Sequence, residues 1–428
     1  MSKNKIIILL TALTLGTTWA IRGQFGHEQG AAWAGGVACL LLVFSIGNTK
    51  WMKVGVKASL MGAIGWGMGG MMSYGVVVGY GRSEDWLNAT YGLLMLGVIG
   101  GLYGLLGGGL FGLGLEEGSS GKKIAWPQLV VEMTAGALIF YFFIVEQLGI
   151  LMTPPRSEAW GVCAGAGIAM LYYMVRNHHT GALRTALFSA IGGGFGFAFG
   201  DFLQVMGFLS KIHFNFWNVM EYSLGFFGGL GMAYGALTGF KNSAITEASE
   251  QNQVNPRIKW SLIGLVGIIP LIVFHQSFVE RDLLPTFENF ELSNPSFWAS
   301  FTLIMAFIIW VLMQFISFES YKKLNKGLIG DGPFLKQIGL TLFLAYMSYS
   351  ILITGAFISI GRIEQYLYLL NFIVIIYLMS RLKNKPEDSL LPIYSPSKVG
   401  VIAFLVIMIV SAIAAFSHGP IPGGQVRF

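Results

Sequence analysis

Apolar runs of about 20 residues recur along the whole chain, and each is the length an α-helix needs to cross a bilayer core of roughly 30 Å. Hydrophobic residues make up 54% of the 428 residues and charged ones only 11%, whereas an ordinary soluble domain carries about 25% charged residues. No water-soluble fold of this size can bury that much apolar surface. The runs are continuous and about twice as long as the alternating strands of roughly 10 residues that build a membrane barrel, which excludes that architecture. The sequence predicts an all-α polytopic membrane protein of about thirteen transmembrane helices: 5–21, 30–47, 54–80, 88–115, 126–151, 159–175, 184–206, 216–240, 259–275, 297–316, 336–358, 364–380 and 399–417. The first run follows Lys3 and Lys5 and imitates a signal peptide. Ala20 leads straight into Arg22 and a second span rather than a cleavage site, so the run reads as a retained helix.

Charge then orients the spans. Lys50, Lys53, Lys57, Lys122, Lys123, Lys322, Lys323 and Lys326 fall on the N-terminal side, while the opposite loops carry one basic residue each: Arg22, Arg82, Arg156, Lys211, Arg281 and Arg362. By the positive-inside rule this predicts an inner (plasma) membrane protein with a cytoplasmic N-terminus and its C-terminus outside. The net charge of +6 sits mostly in these short loops and gives no reason to expect nucleic acid as a partner. The two cysteines, Cys39 and Cys163, lie inside apolar spans and read as packing residues, not as a redox or metal site.

The segment Tyr91 to Leu106 matches Tyr222 to Leu237 at Tyr91/Tyr222, Gly97/Gly228, Gly100/Gly231, Tyr103/Tyr234 and Gly104/Gly235. Gly65, Gly67 and Gly69 correspond in the same way to Gly192, Gly194 and Gly196. Residues 1–120 and 121–245 therefore read as two parallel copies of a four-helix membrane unit, one of the symmetric plans of secondary transporters. Residues 246–428 form a five-helix region, a degenerate third copy plus a last helix, suggested by Gly361-Arg362-Ile363-Glu364 echoing Gly81-Arg82-Ser83-Glu84. Polar loops at 241–258 and 381–398 separate the parts. The glycines crowd into the first two units, where close helix approach is expected.

The densest polar cluster is Arg22-Gly-Gln24-Phe-Gly-His27-Glu28, in the turn between the first two spans. A histidine beside a carboxylate suits proton exchange, and an arginine suits a carboxylate or a hydroxyl-rich ligand. The bland alternatives are an interfacial turn and an Arg22–Glu28 clamp. Ionisable residues within spans mark pathways or coupling sites by default, which singles out Asp201, Glu221 and Glu132 as solute or coupling-ion candidates together with Arg22, Gln24, His27 and Glu28. Glu146, near a span end, reads as interfacial. Asp201 and Glu221 stand where the first unit has Tyr74 and Thr90, an asymmetry that scaffold alone does not require. The turns holding Arg82 and Glu84, and Arg362 and Glu364, suit salt bridges that fix outer loops, or an external gate.

Trp19, Trp33, Trp86, Trp126, Trp160 and Trp217 near span ends read as an interfacial belt. His178 and His179 have no companions with metal-ligand spacing, and no Walker A, nucleophile-elbow or zinc-protease motif is present. No catalytic residue, metal or cofactor is expected. The pattern favours a secondary transporter of a small polar solute, a sugar or similar neutral or cationic metabolite, coupled to protons or sodium. Its partners are the lipid bilayer, the solute and the coupling cation, with a homo-oligomer compatible. Two alternatives stand beside it. One is a membrane-embedded enzyme acting on a lipid-linked or glycan substrate through His27 and Glu28. The other is a non-catalytic envelope scaffold, in which every buried charge is paired.

Overall fold

In the computed structural model, residues 1–119, 123–240, 258–382 and 391–428 are described. Among them every regular element is helical: α1 Lys3–Arg22, α2 His27–Ile46, α3 Thr49–Gly69, α4 Gly75–Gly81, α5 Trp86–Ser119, α6 Trp126–Phe140, α7 Trp160–Arg176, α8 Thr180–Ser210, α9 Phe216–Gly239, α10 Ile258–Leu262, α11 Ile269–Ser277, α12 Glu280–Glu288, α13 Pro295–Asn325, α14 Asp331–Ile353, α15 Ile363–Leu382 and α16 Pro396–Phe416. α6 runs on through a π-helical turn, Tyr141–Gln147, and a second such turn, Ile263–Ile268, joins α10 to α11. Ten of the resulting rods are long and apolar enough to cross a membrane, so the chain has the build of a multi-pass helical membrane protein. The other three expected spans fall on α3, α7 and α9; α7 is 17 residues long, and α3 and α9 are rich in glycine, which dilutes their hydropathy. Most of the expected loops at 241–258 and 381–398 lies outside the described residues.

Two features depart from the expected spans. The run at 54–80 is not one helix: it breaks after Gly69, crosses Gly70–Tyr74 without regular structure and resumes as α4. Gly70 sits against the backbone of His27 and Glu28, where any side chain would collide, so the chain bends round the α1–α2 turn instead of continuing. The loop expected at 281–296 contains α12, whose Leu283 and Phe287 are buried while Glu280, Asp282 and Glu288 face outward.

Six helices close a ring. α1 packs on α2, α2 on α3, α3 on α5, α5 on α8, α8 on α9, and α9 returns to α1. α5 and α8 approach each other closely: a Cβ at Gly100 or Gly193 would strike the partner's carbonyl oxygen, and one at Gly104 that of Ser189. Glycine permits this backbone contact, from which membrane helices draw much of their association energy. In the hydropathy windows of α1 and α2, 72% and 83% of residues are buried, against 22% for α6 and α13 and 28% for α15 and α16. The ring is therefore the interior and the latter helices form its exposed rim. α14 locks onto α2 through the Trp33 indole, which donates to the Leu342 carbonyl at 3.1 Å and stacks on Tyr346 at 4.7 Å.

The two units expected from the sequence are not placed alike. All four spans of the first unit enter the ring, but only α8 and α9 of the second do, and α6 and α7 form a hairpin outside it, attached mainly through α7 and α5. Gly65 meets Gly107, whereas its counterpart Gly192 meets Gly228, the counterpart of Gly97. The third and fourth spans of each unit thus share glycine packing but not register.

α16 is tied at both ends. Before it, Tyr234 on α9 donates to the Pro392 carbonyl at 2.7 Å and accepts from the Tyr394 amide at 2.9 Å, while Arg184 on α8 donates to the Tyr394 carbonyl at 2.9 Å. After it, the Gln425 amide donates to the Gly79 carbonyl at 2.8 Å, and the Arg427 amide to Asn88 Oδ1 at 2.6 Å.

The ring predicts unequal tolerance along one glycine stripe. A Cβ at Gly101 would make only ordinary contact with the Ala190 carbonyl. Gly101→Ala is therefore expected to leave thermal unfolding in detergent unchanged, while Gly104→Ala lowers stability by about 1–3 kcal/mol, the usual cost of overpacking.

Candidate functional site

Arg22 ends α1 and is fully buried, with its side chain 1% exposed. A lone guanidinium there would be prohibitively costly, and the structure supplies three partners. One terminal nitrogen donates to Glu221 Oε2 on α9 at 2.6 Å and to the Tyr74 hydroxyl at 2.8 Å, and the other reaches His27 Nδ1 at 3.0 Å. Tyr74 in turn donates to Glu221 Oε1 at 2.8 Å, so both carboxylate oxygens are engaged. A guanidinium has no acceptor, which assigns His27 Nδ1 as the acceptor of its pair and leaves any ring proton on Nε2. The Arg22 guanidinium also lies 5.1 Å from the Trp19 ring centroid and 5.7 Å from that of Tyr74, within cation–π range.

The helix break makes this possible. Tyr74 is the residue just before α4, and a continuous α3 would not place it there. Interrupted spans are where transporters commonly assemble their sites, because loose backbone is tolerated only against protein or a cavity.

A second buried centre lies next to the first. The Tyr74 ring meets Phe197 edge-on at 5.1 Å, and one turn further along α8 stands Asp201, 0% exposed, with neither carboxylate oxygen hydrogen-bonded. Gly81 presses directly on its Oδ2. The counter-charge acting on it is Arg82, which is itself buried, donates to Gln204 Oε1 at 2.7 and 3.2 Å, and lies over the rings of Phe208 and Trp217. Gln204 follows Asp201 by three residues, on the same helix face. Gly423, in the segment after α16, rests against the Arg82 guanidinium and covers this centre.

Of the residues singled out from sequence, Arg22, His27 and Glu221 meet, and Asp201 and Arg82 form the adjoining centre. The others do not join. Glu28 is exposed, so the Arg22–Glu28 clamp is replaced by Arg22–Glu221. Gln24 turns to Ser350 Oγ, and the same hydroxyl lies 2.6 Å from the Gln365 amide; it donates to one amide and accepts from the other, tying the α1–α2 turn to α14 and α15. Glu132 lies at the other face of the bundle, paired with Arg176 at 2.6 Å. Arg82 turns inward instead of pairing with exposed Glu84, because Gln204 offers a buried acceptor. Arg362 and Glu364 form the expected contact only loosely, at 3.8 Å. The interfacial-belt assignment fails for Trp19 and Trp33, which are 0% and 1% exposed: α1 and α2 are interior helices, so their ends are walled by protein. Trp86 and Trp217 are exposed as a belt requires.

Tyr74, Gln204, Trp66 and Tyr103 were not singled out as site residues. For Gln204 a signal existed in its spacing from Asp201; for Tyr74 there was none, because the run before it reads as helix. Among the described residues no group of three or more His, Cys, Asp or Glu is placed to hold a metal ion. Comparison with protein-family models, with curated proteins and with solved structures finds no match to this chain.

The ion pair predicts a characteristic pattern of stability. Arg22→Met or Glu221→Met alone strands a buried charge and is expected to cost about 3–5 kcal/mol, while the double substitution recovers most of that loss. Thermal unfolding of the three variants in detergent checks it.

Proposed function

We propose that the chain is a proton-coupled secondary transporter of a small polar solute, with its site inside the six-helix ring and Asp201 as the proton-carrying group. The observation that carries this is the pair of adjacent buried centres with opposite character. Arg22–Glu221–Tyr74–His27 is a connected network in which both terminal nitrogens of Arg22 and both oxygens of Glu221 are engaged, suited to holding a fixed geometry. Asp201, by contrast, takes up and releases a proton without breaking any hydrogen bond. Intramembrane carboxylates in transporters act this way by default. A proton fits Asp201 better than sodium does, because a metal cation needs several oxygen ligands, the charged neighbour acting on Asp201 is the cation Arg82, and among the described residues it belongs to no group of three or more His, Cys, Asp or Glu.

Thirteen spans, with the α1–α2 face outside the inner membrane, complete the proposal; the basic residues of the loops support that orientation. The network then sits at the outer end of the ring, and His27, at the exposed edge of the α1–α2 turn, faces the outside. The scaffold alternative requires every buried charge to be paired, which Asp201 does not satisfy. The enzyme alternative requires an accessible base and acid. Glu28 is exposed, but both terminal nitrogens of the Arg22 that would orient a substrate beside it are already bound to Glu221, Tyr74 and His27.

Proteoliposomes loaded with a pH-reporting dye test the proposal against a panel of hexoses, polyols, amino acids, amines and carboxylates. At least one is expected to acidify the lumen with wild-type protein and to do so without sodium. Asp201→Asn is expected to lose solute-driven proton entry while keeping exchange of labelled for unlabelled solute. Acidification that persists in Asp201→Asn, or uptake that follows sodium alone, would overturn the coupling role.

A further inference from the structure

The interior of the ring holds hydrogen-bonding groups that the networks above do not use. Trp66 on α3 lies in a bed made by glycines of three other helices, Gly35 on α2, Gly107 on α5 and Gly228 on α9, at each of which a Cβ would press on the indole. Trp19 meets Trp66 and Tyr103 edge-on, with centroids 5.0 Å apart in both cases, and the Arg22 guanidinium lies 6.0 Å from the Tyr103 ring. All four side chains are buried to within 1% of complete, and none of Trp19 Nε1, Trp66 Nε1, Tyr103 Oη and Arg22 Nε has a hydrogen-bond partner. Native interiors seldom leave one such atom unpaired, and here four belong to side chains in one contiguous group, with Trp66, Tyr103 and the Arg22 guanidinium all packed on Trp19.

Three of the four are donors only: the two indole N–H groups and the guanidinium Nε–H. Among the four only Tyr103 Oη can also accept, and both Glu221 oxygens already bind Arg22 and Tyr74. What enters must therefore bring acceptors and few donors of its own. A cation brings no acceptor. A sugar brings several hydroxyl hydrogens to a group of side chains with one accepting oxygen among them. A phosphate adds a second negative charge beside a guanidinium already paired with Glu221. A carboxylate matches, with two oxygens, four lone pairs and one charge.

We infer that this aromatic interior is the solute site and that the solute is a small monocarboxylate, taken up with one proton; the inference rests on the transporter reading and names its cargo. It departs from the neutral or cationic solute that the charge of the loops suggests, because the groups that touch a solute are donors. The stoichiometry follows from charge. Arg22 and Glu221 already cancel, so an entering carboxylate adds one negative charge to a buried site, and a single proton on Asp201 restores neutrality.

Binding is read on purified protein in detergent, by thermal unfolding and by tryptophan fluorescence, with acetate, lactate, pyruvate and benzoate compared with glucose, phosphate and choline at equal ionic strength. At least one monocarboxylate is expected to raise the unfolding temperature with concentration and to quench the fluorescence. Trp19→Phe and Tyr103→Phe keep the ring and remove the polar group; each is expected to weaken that binding about tenfold or more, as the loss of a hydrogen bond to a charged group does. A response to glucose, phosphate or choline in place of the carboxylates, no response to any probe, or unchanged affinity in both variants overturns the inference. Because binding needs no gradient, carboxylate binding without proton-driven uptake would sink the transporter reading alone. Proton-driven uptake of a different solute would sink this inference alone.

Discussion

A buried guanidinium is the constraint around which the rest is arranged. Arg22 ends a helix whose surroundings are almost wholly apolar, and it is tolerable only because Glu221, Tyr74 and His27 reach it from three other parts of the chain. Each partner imposes a condition. Glu221 requires α9 to lie along α1, which Gly225 and Gly229 allow by packing on the α1 backbone. Tyr74 requires the third span to break where it does. His27 requires the chain to turn sharply after α1, and Phe25 pins that turn by packing on Tyr346 of α14. Removing the charge would relax all three demands at once, so the guanidinium acts as a specification of geometry more than as a source of stability.

The helical membrane class was legible because about 20 consecutive apolar residues admit few other interpretations, and the long helices fall close to the expected runs. The break in the third span was not, since Gly70–Tyr74 is apolar enough to read as helix and bends only because the α1–α2 turn occupies the space beside Gly70. Within the site, Arg22, His27, Glu221 and Asp201 stood out because charge inside a span is costly and therefore conspicuous. Their partners did not. Tyr74, Trp66 and Tyr103 are common membrane-helix residues, and what distinguishes them is position in three dimensions.

Aromatic residues misled in a systematic way. A tryptophan near a span end is an interfacial anchor when its helix faces lipid, and an interior residue when other helices surround it. Trp217 is of the first kind and Trp19 of the second, though both sit near helix ends. Sequence supplies depth along the membrane normal but not distance from the bundle axis. Charged residues of the loops carry a related ambiguity: Arg82 belongs by position to a loop between helices, yet its side chain folds back onto Gln204.

The two ties of α16 give this helix a mechanical role. It is a rod with pins at its ends, one in the Tyr234–Arg184 pair on α8 and α9 and the other on α4 and α5 beside Asn88. Both pins are a few hydrogen bonds made largely by loop backbone, of the kind water replaces at little net cost. Held by α8 and α9 at one end and by α4 and α5 at the other, the rod carries any displacement of one helix pair to the opposite end of the bundle.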